Sequence, residues 1–313
     1  MRRLVVLADG TWEDADFQSN PDLLTNVGRL ARAIHTTDTR SGQPVPQIIR
    51  YAEGLGTGST ALVGAYQGAR GIGLLAKTRH LYDWLCLNYE KDAEITLVGF
   101  SRGAYCVRLL ASLIGQIGLL MPSKMHLFPE IFDALCAKWE LEESEERLRL
   151  LLEANEEDRL AQLRQCPNGF LIKALLVFDT VPVSPYNERS GLSSGDAPIL
   201  WNAFGMQADR LEPHIETALQ ALAINESRPA YKPLLFQVDP RNPKQGQTLL
   251  QTWFVGAHTD IGGGYQDHDL ADISLIWSVE RLMRFAGLSF DLDYLDEITS
   301  HPTSMWGQMQ PHK

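Results

Sequence analysis

Ile95-Thr-Leu-Val-Gly-Phe-Ser101-Arg-Gly-Ala104 sets a serine between two glycines, directly after an apolar run and directly before an apolar helical stretch. In that context G-x-S-x-G builds a tight strand-to-helix turn: the backbone at the serine is strained, the small flanking residues let strand and helix approach, and the hydroxyl stands at the tip. The plainer reading of the same residues is a connector in which Ser101 caps a helix. A serine hydroxyl is a poor nucleophile at neutral pH. Chemistry at Ser101 therefore needs a general base and a third group that holds the base in one tautomer.

Where such a turn carries a nucleophile, the partners follow in the chain order serine, acid, histidine. Of eight histidines, His35, His80 and His126 lie too early, and His214 falls inside a predicted helix. His258 follows an apolar strand and opens the glycine-rich stretch His258-Thr-Asp-Ile-Gly-Gly-Gly-Tyr265, whereas His268, His301 and His312 have no comparable setting. Asp179, at the end of Leu171–Phe178, fits the acid; Asp260, two residues from His258, is its rival. An acyl-transfer site also needs donors aimed at a developing oxyanion. The amide of Arg102 is one candidate, and the Gly10–Thr11 loop after the first strand supplies the other. Trp12 and Phe100 are candidates to line the substrate pocket. Arg102 could also meet an anionic substrate group, although an arginine in that slot more often pairs with a structural carboxylate.

These residues need a scaffold. Leu4–Ala8, Glu94–Val98 and Leu171–Phe178 read as strands buried on both faces, with further strands at Leu234–Val238 and Thr252–Ala257. Asn20-Pro21 signals a helix start, followed by Leu23, Leu24, Val27, Leu30 and Ile34 at helical spacing. Ala104–Ile117, residues 213–224 and residues 270–286 are other predicted helices; the glycine-rich stretch 52–73 predicts a loop with short helical pieces, after which a helical pattern firms up through Leu74, Leu75, Leu81, Trp84 and Leu85. Alternating strands and helices without an internal repeat predict an α/β fold of the α/β-hydrolase type: a mostly parallel central sheet with helices on both faces. One domain over 1–313 is expected. The Glu- and Leu-rich segment 121–168 would form a helical cap inserted in it, and 287–313 an irregular tail.

Composition narrows the partners. The 313 residues include 28 basic and 39 acidic side chains, a net charge of −11, without a Lys/Arg block, which argues against a nucleic-acid partner. Cys86, Cys106, Cys136 and Cys166 show neither C-x-x-C pairing nor metal-ligand spacing, so reduced thiols in a cytoplasmic protein, without metal or cofactor, are expected. The apolar run at the N-terminus is shorter than the ~7–15 residues of a signal peptide core, and no stretch approaches the ~20 needed to span a bilayer. Gly71-Ile-Gly-Leu-Leu-Ala-Lys-Thr78 nearly spells a phosphate-binding loop, but no strand precedes it.

Four blocks carry a family resemblance: Ala8-Asp-Gly-Thr-Trp12, Tyr51-Ala-Glu-Gly-Leu-Gly-Thr-Gly58, Gly99-Phe-Ser-Arg-Gly-Ala104 and Trp253-Phe-Val-Gly-Ala-His-Thr-Asp-Ile-Gly-Gly-Gly-Tyr265. With Val177–Val181 and Ala221–Arg228 they resemble the α/β-hydrolase family of type VI secretion phospholipase effectors, the Tle1-like or DUF2235 catalytic domain, over about residues 4–285. The resemblance implies Ser101 as nucleophile, His258 as base and an aspartate, Asp179, as third member. Glu13, Phe178 and Asn225 stand where the family usually has Asn, Trp and Asp. The expected activity is cleavage of a carboxylic ester, whether lipid-like ester, phospholipid acyl ester, thioester or lactone. The substrate would be a small molecule or a lipid, with peripheral membrane contact as one possibility. The alternative is a non-catalytic or acyl-transferring binding module on the same scaffold.

Overall fold

Alternate residues of the first strand face opposite cores. Leu4, Val6 and Ala8 pack into one hydrophobic cluster and Val5 and Leu7 into another. Such two-sided burial requires helices on both sides of the sheet. The computed structural model describes residues 1–10, 23–54, 67–137, 142–154, 159–161, 171–181, 210–238 and 246–312. Among these, β1 (Arg3–Ala8), β2 (Thr37–Asp38), β3 (Val45–Ala52), β4 (Glu94–Phe100), β7 (Ile172–Phe178), β8 (Ile215–Ala223) and β9 (Thr248–Phe254) form a seven-stranded sheet in the order β2-β3-β1-β4-β7-β8-β9. All neighbouring pairs are parallel except β2–β3.

Helices α2 (Gln67–Asn88) and α3 (Ser101–Ile117) cover one face. The other is covered by α1 (Asn26–Ala33), α7 (Asp269–Phe285) and α8 (Leu292–Thr299), with the short α6 (His258–Gly262) between the sheet and α7. The parallel arrangement aligns the carboxyl ends of β1, β4, β7, β8 and β9 along one rim, where open α/β sheets place their ligands.

Several expectations from the sequence change. Residues 215–223 form the buried strand β8 instead of a helix, because a run apolar on both faces fits either element and periodicity cannot choose between them. The expected strand Leu234–Val238 is a coil with a single bridge from Gln237 to Arg210. There the Phe236 amide donates to the side-chain oxygens of Gln220 and Gln251 instead of a ladder carbonyl. Helix α1 begins at Asn26 with Thr25 as its cap; Asn20-Pro21 lies outside the described residues. Helix α2 takes in Gly68, Gly71 and Gly73, so Gly71–Thr78 is helical and offers no phosphate-cradling loop. The tail is not wholly irregular, since Asp291 accepts from Tyr294 N and caps α8.

In the insertion, α4 (Phe128–Ala137) and α5 (Glu142–Ala154) pack on each other, and β5 (Leu119–Leu120) pairs with β6 (Arg159–Ala161). Phe128 stacks on Tyr82 at 4.4 Å between centroids, and the Tyr82 hydroxyl donates to Gly118 O, just past the end of α3. At 1.5 Å per residue that end lies about 25 Å from Ser101. The contact of Phe128 with Tyr82 ties the start of the segment to the carboxyl end of α3.

Candidate functional site

Ser101 sits at the junction of β4 and α3 with φ 57°, a left-handed conformation that side chains rarely adopt, after an extended Phe100. The flanking glycines report the sterics. A Cβ at position 99 would lie 2.6 Å from Ala104 Cα, and one at position 103 would lie 2.1 Å from Ala8 O and 2.5 Å from Asp9 O. Both glycines are therefore required by close approach, and Gly103 seats the first turn of α3 directly on the end of β1. Arg102 lies in that first turn, whose amides point out of the helix N-terminus.

Asp179 follows β7 with φ 36° and is fully buried. Its Oδ1 accepts from Ala223 N at 3.1 Å, and its Oδ2 accepts from His258 Nδ1 at 2.6 Å. A carboxylate can only accept, so this bond puts the ring proton on Nδ1 and leaves Nε2 as the lone-pair nitrogen. The imidazole is held on two further sides. Phe100 lies against it at 4.7 Å between centroids, and Tyr231 meets it edge-on at 5.0 Å. The residue before the serine thus touches the ring, and Val181 N donates to Ser101 O at 3.3 Å, tying the turns after β4 and β7 together. The Ser101 hydroxyl itself makes no hydrogen bond to a described residue. In unliganded sites the nucleophile–base bond is often open and tightens with substrate.

Asp260 does not orient this ring. Its Oδ2 accepts from Ala257 N at 2.8 Å and from His312 N at 3.0 Å, while Oδ1 accepts from His312 Nδ1 at 2.5 Å. It caps α6 and holds the end of the chain. Gly10, expected to offer an amide to an oxyanion, donates that amide to its neighbour's side chain, Asp9 Oδ1, at 2.8 Å. Thr11 and Trp12 lie outside the described residues. Phe100, expected to line a substrate pocket, is buried, and a Cβ at position 262 would lie within 2.0 Å of its ring. Its place is behind the histidine. Among the described residues no cluster of His, Cys, Asp and Glu is arranged to hold a metal ion.

Sequence reasoning missed Glu226 and Tyr231. Glu226 Oε2 accepts from His258 N at 3.2 Å and from Arg228 Nη2 at 2.7 Å, while Oε1 accepts from Arg228 N and Nε. Asn225 Oδ1 accepts from Gly256 N, so the turn after β8 is laced to the turn after β9 that delivers His258. An aspartate could accept there equally well, so the Asn225 departure falls on a scaffold contact; Phe178 is likewise a core residue. The signal that could have found Glu226 was the Ala221–Arg228 block itself.

The Arg228 guanidinium, then its amide and that of His258, hold the Glu226 carboxyl down at about 2 from the ordinary 4.5. Folding lowers this pKa, so the stabilisation is complete above pH 4.5 and is lost as pH falls toward 2. The stability difference between wild type and Glu226→Gln, from denaturant titrations, is expected to be largest at neutral pH and to narrow through that window. A difference that stays constant on acidification would contradict the assignment.

The geometry is that of an α/β protein whose buried aspartate, histidine and strained serine gather at the carboxyl rim of a parallel sheet. The model of the type VI secretion phospholipase effector Tle1-like catalytic domain matches residues 2–281, and the chain belongs to that family. The crystal structure of an uncharacterized protein from Pseudomonas aeruginosa is similar at 16% identity with a TM-score of 0.50, covering 95% of this chain and 47% of that one. That likeness concerns the fold, and the chain spans about half the length of the Pseudomonas protein. No curated protein matches. No helix among the described residues is long and apolar enough to cross a membrane.

Proposed function

We propose that the chain is a serine hydrolase that cleaves the carboxylic ester of a lipid-like substrate through an acyl-enzyme. The observation that carries this reading is the 2.6 Å bond from His258 Nδ1 to the buried Asp179, which leaves Nε2 free to act as base, on a ring that packs against Phe100, the residue before the strained Ser101. In the forward step Ser101 Oγ bonds to the acyl carbon while its proton passes to His258 Nε2. The tetrahedral intermediate then expels the alcohol, which takes the proton back from the imidazolium. A water, deprotonated by the same nitrogen, attacks the acyl-enzyme; the carboxylic acid leaves, and Ser101 regains its proton. Asp179 keeps the proton on Nδ1 and stabilises the imidazolium. The amide of Arg102 is the oxyanion donor of this proposal, whereas that of Gly10 is engaged by Asp9.

Membership of a phospholipase effector family supports lipid as the substrate class. A cytoplasmic location belongs to the same proposal, and the free, buried thiols of Cys86 and Cys106 are compatible with a reducing compartment. The purified chain is expected to release fatty acid from phospholipid vesicles and butyrate from p-nitrophenyl butyrate. Release of a phosphorylated headgroup without fatty acid would contradict acyl-ester cleavage. Failure to cleave either substrate would favour a binding module.

A further inference from the structure

We propose that Asp9 is a positioning residue that holds the serine turn, the Gly10 loop and the His258 helix in one fixed relation. The proposal rests on the reading of Ser101 as the nucleophile.

Asp9 ends β1 and is buried, with both carboxyl oxygens committed. Oδ1 takes the Gly10 amide at 2.8 Å, and Oδ2 takes the hydroxyls of Thr25 at 2.6 Å and Tyr51 at 2.8 Å. Each contact leads to a different part of the site. Gly10 directly follows β1 and gives its amide to Asp9. Tyr51 lies on the neighbouring strand β3. Thr25 caps α1 by accepting from Gly28 N and forms an isolated antiparallel bridge with Gly263, the residue that ends α6, whose first residue is His258.

That junction is tight, because a Cβ on Gly263 would lie 2.8 Å from Asn26 N. Asn26 fastens it again, its Nδ2 donating to Ile261 O at 3.1 Å, Ala271 O at 2.8 Å and Ser274 Oγ at 3.0 Å. The backbone of Asp9 faces the serine side: its carbonyl accepts from Lys77 Nζ at 3.3 Å and abuts Gly103, two residues after Ser101. One residue thus touches the nucleophile's helix, Gly10 after β1 and the cap that grips the histidine's helix.

Burial pushes the Asp9 carboxyl up from its ordinary value, against the opposing pull of Thr25, Tyr51, Gly10 and Lys77. A buried carboxylate is an expensive way to fill space, and well-packed apolar groups often stabilise as well or better. What it provides instead is one acceptor that orients three donors from separate segments. Displacing catalytic groups by about 1 Å can lower turnover by about 10²-fold.

Asp9→Asn keeps the size but sets an NH2 group against the Gly10 amide or the two hydroxyls. It is expected to lower kcat on p-nitrophenyl butyrate by about 10–10²-fold, with KM little changed. Labelling of Ser101 by a fluorophosphonate should slow by the same factor as kcat. Thr25→Val removes a single donor and is expected to lower kcat less, while Thr25→Ser, which keeps the hydroxyl, restores it. Should Asp9→Asn not fold, the Thr25 pair carries the test.

Folded Asp9→Asn and Thr25→Val proteins with wild-type kcat would overturn the proposal, as would a loss confined to KM or Thr25→Ser being as impaired as Thr25→Val. A wild-type chain that neither labels nor cleaves fails at the earlier step, the serine-hydrolase reading, and takes this proposal with it. Normal wild-type activity alongside unaffected variants refutes Asp9 alone.

Discussion

Ser101→Ala is expected to lower kcat/KM on a short acyl ester by about 10⁴–10⁶-fold, with the melting temperature little changed. The size of the effect follows from the division of labour at the site. Without Oγ no acyl-enzyme forms, and His258 and the oxyanion donors can assist only direct attack by water, which leaves a residual rate. The fold should tolerate the change because the strain at φ 57° is imposed by Gly99 and Gly103, whose closeness to Ala104, Ala8 and Asp9 is unaffected by the hydroxyl. A residual kcat/KM above a tenth of wild type would place the nucleophile elsewhere.

The second large effect separates the two aspartates. Asp179→Asn is expected to cost about 10³–10⁴-fold in kcat, because an amide facing Nδ1 can present its own donor and force the ring into the wrong tautomer. Asp179 Oδ1 also accepts from Ala223 N, so the amide's oxygen is drawn to that side and its NH2 toward the imidazole. Asp260→Asn is expected to leave kcat nearly unchanged. It would instead lower stability by roughly 1–3 kcal/mol, since the Ala257 and His312 donors lose a charged acceptor. Steady-state kinetics with denaturant titrations on both variants measures the contrast. The reverse pattern would make Asp260 the orienting acid.

The sequence announced Ser101 because its two glycines are themselves a steric statement: strand and helix meet too closely there for any Cβ. Asp179 and His258 were legible from chain order and from their places after strands. Spacing could not choose between Asp179 and Asp260 as partner of the His258 ring, because the contact that occupies Asp260 comes from His312, 52 residues further on. Nor could the pattern show that Gly10's amide turns inward to Asp9, or that Glu226 accepts from the His258 backbone, since a backbone donor leaves no signature in residue type.

The fold was legible at β1, β4 and β7, whose apolar runs end in turns, but not at the expected strand Leu234–Val238, which is a coil, nor at β3, which the expected strands lacked. It was not legible at residues 215–223, where burial on both faces erases the period that separates strand from helix. The helix Leu292–Thr299 escaped notice because it is short and sits in a polar stretch, held by the Asp291 cap and by Leu295 in the core. In each case the deciding contact comes from a distant segment.

The most direct measurement is the mass-spectrometric location of a fluorophosphonate adduct on the folded chain. The account predicts one adduct per chain, on Ser101, forming slowly or not at all in His258→Gln and absent from Ser101→Ala. Absence of an adduct on native protein, or an adduct on a different serine that persists in Ser101→Ala, would contradict it.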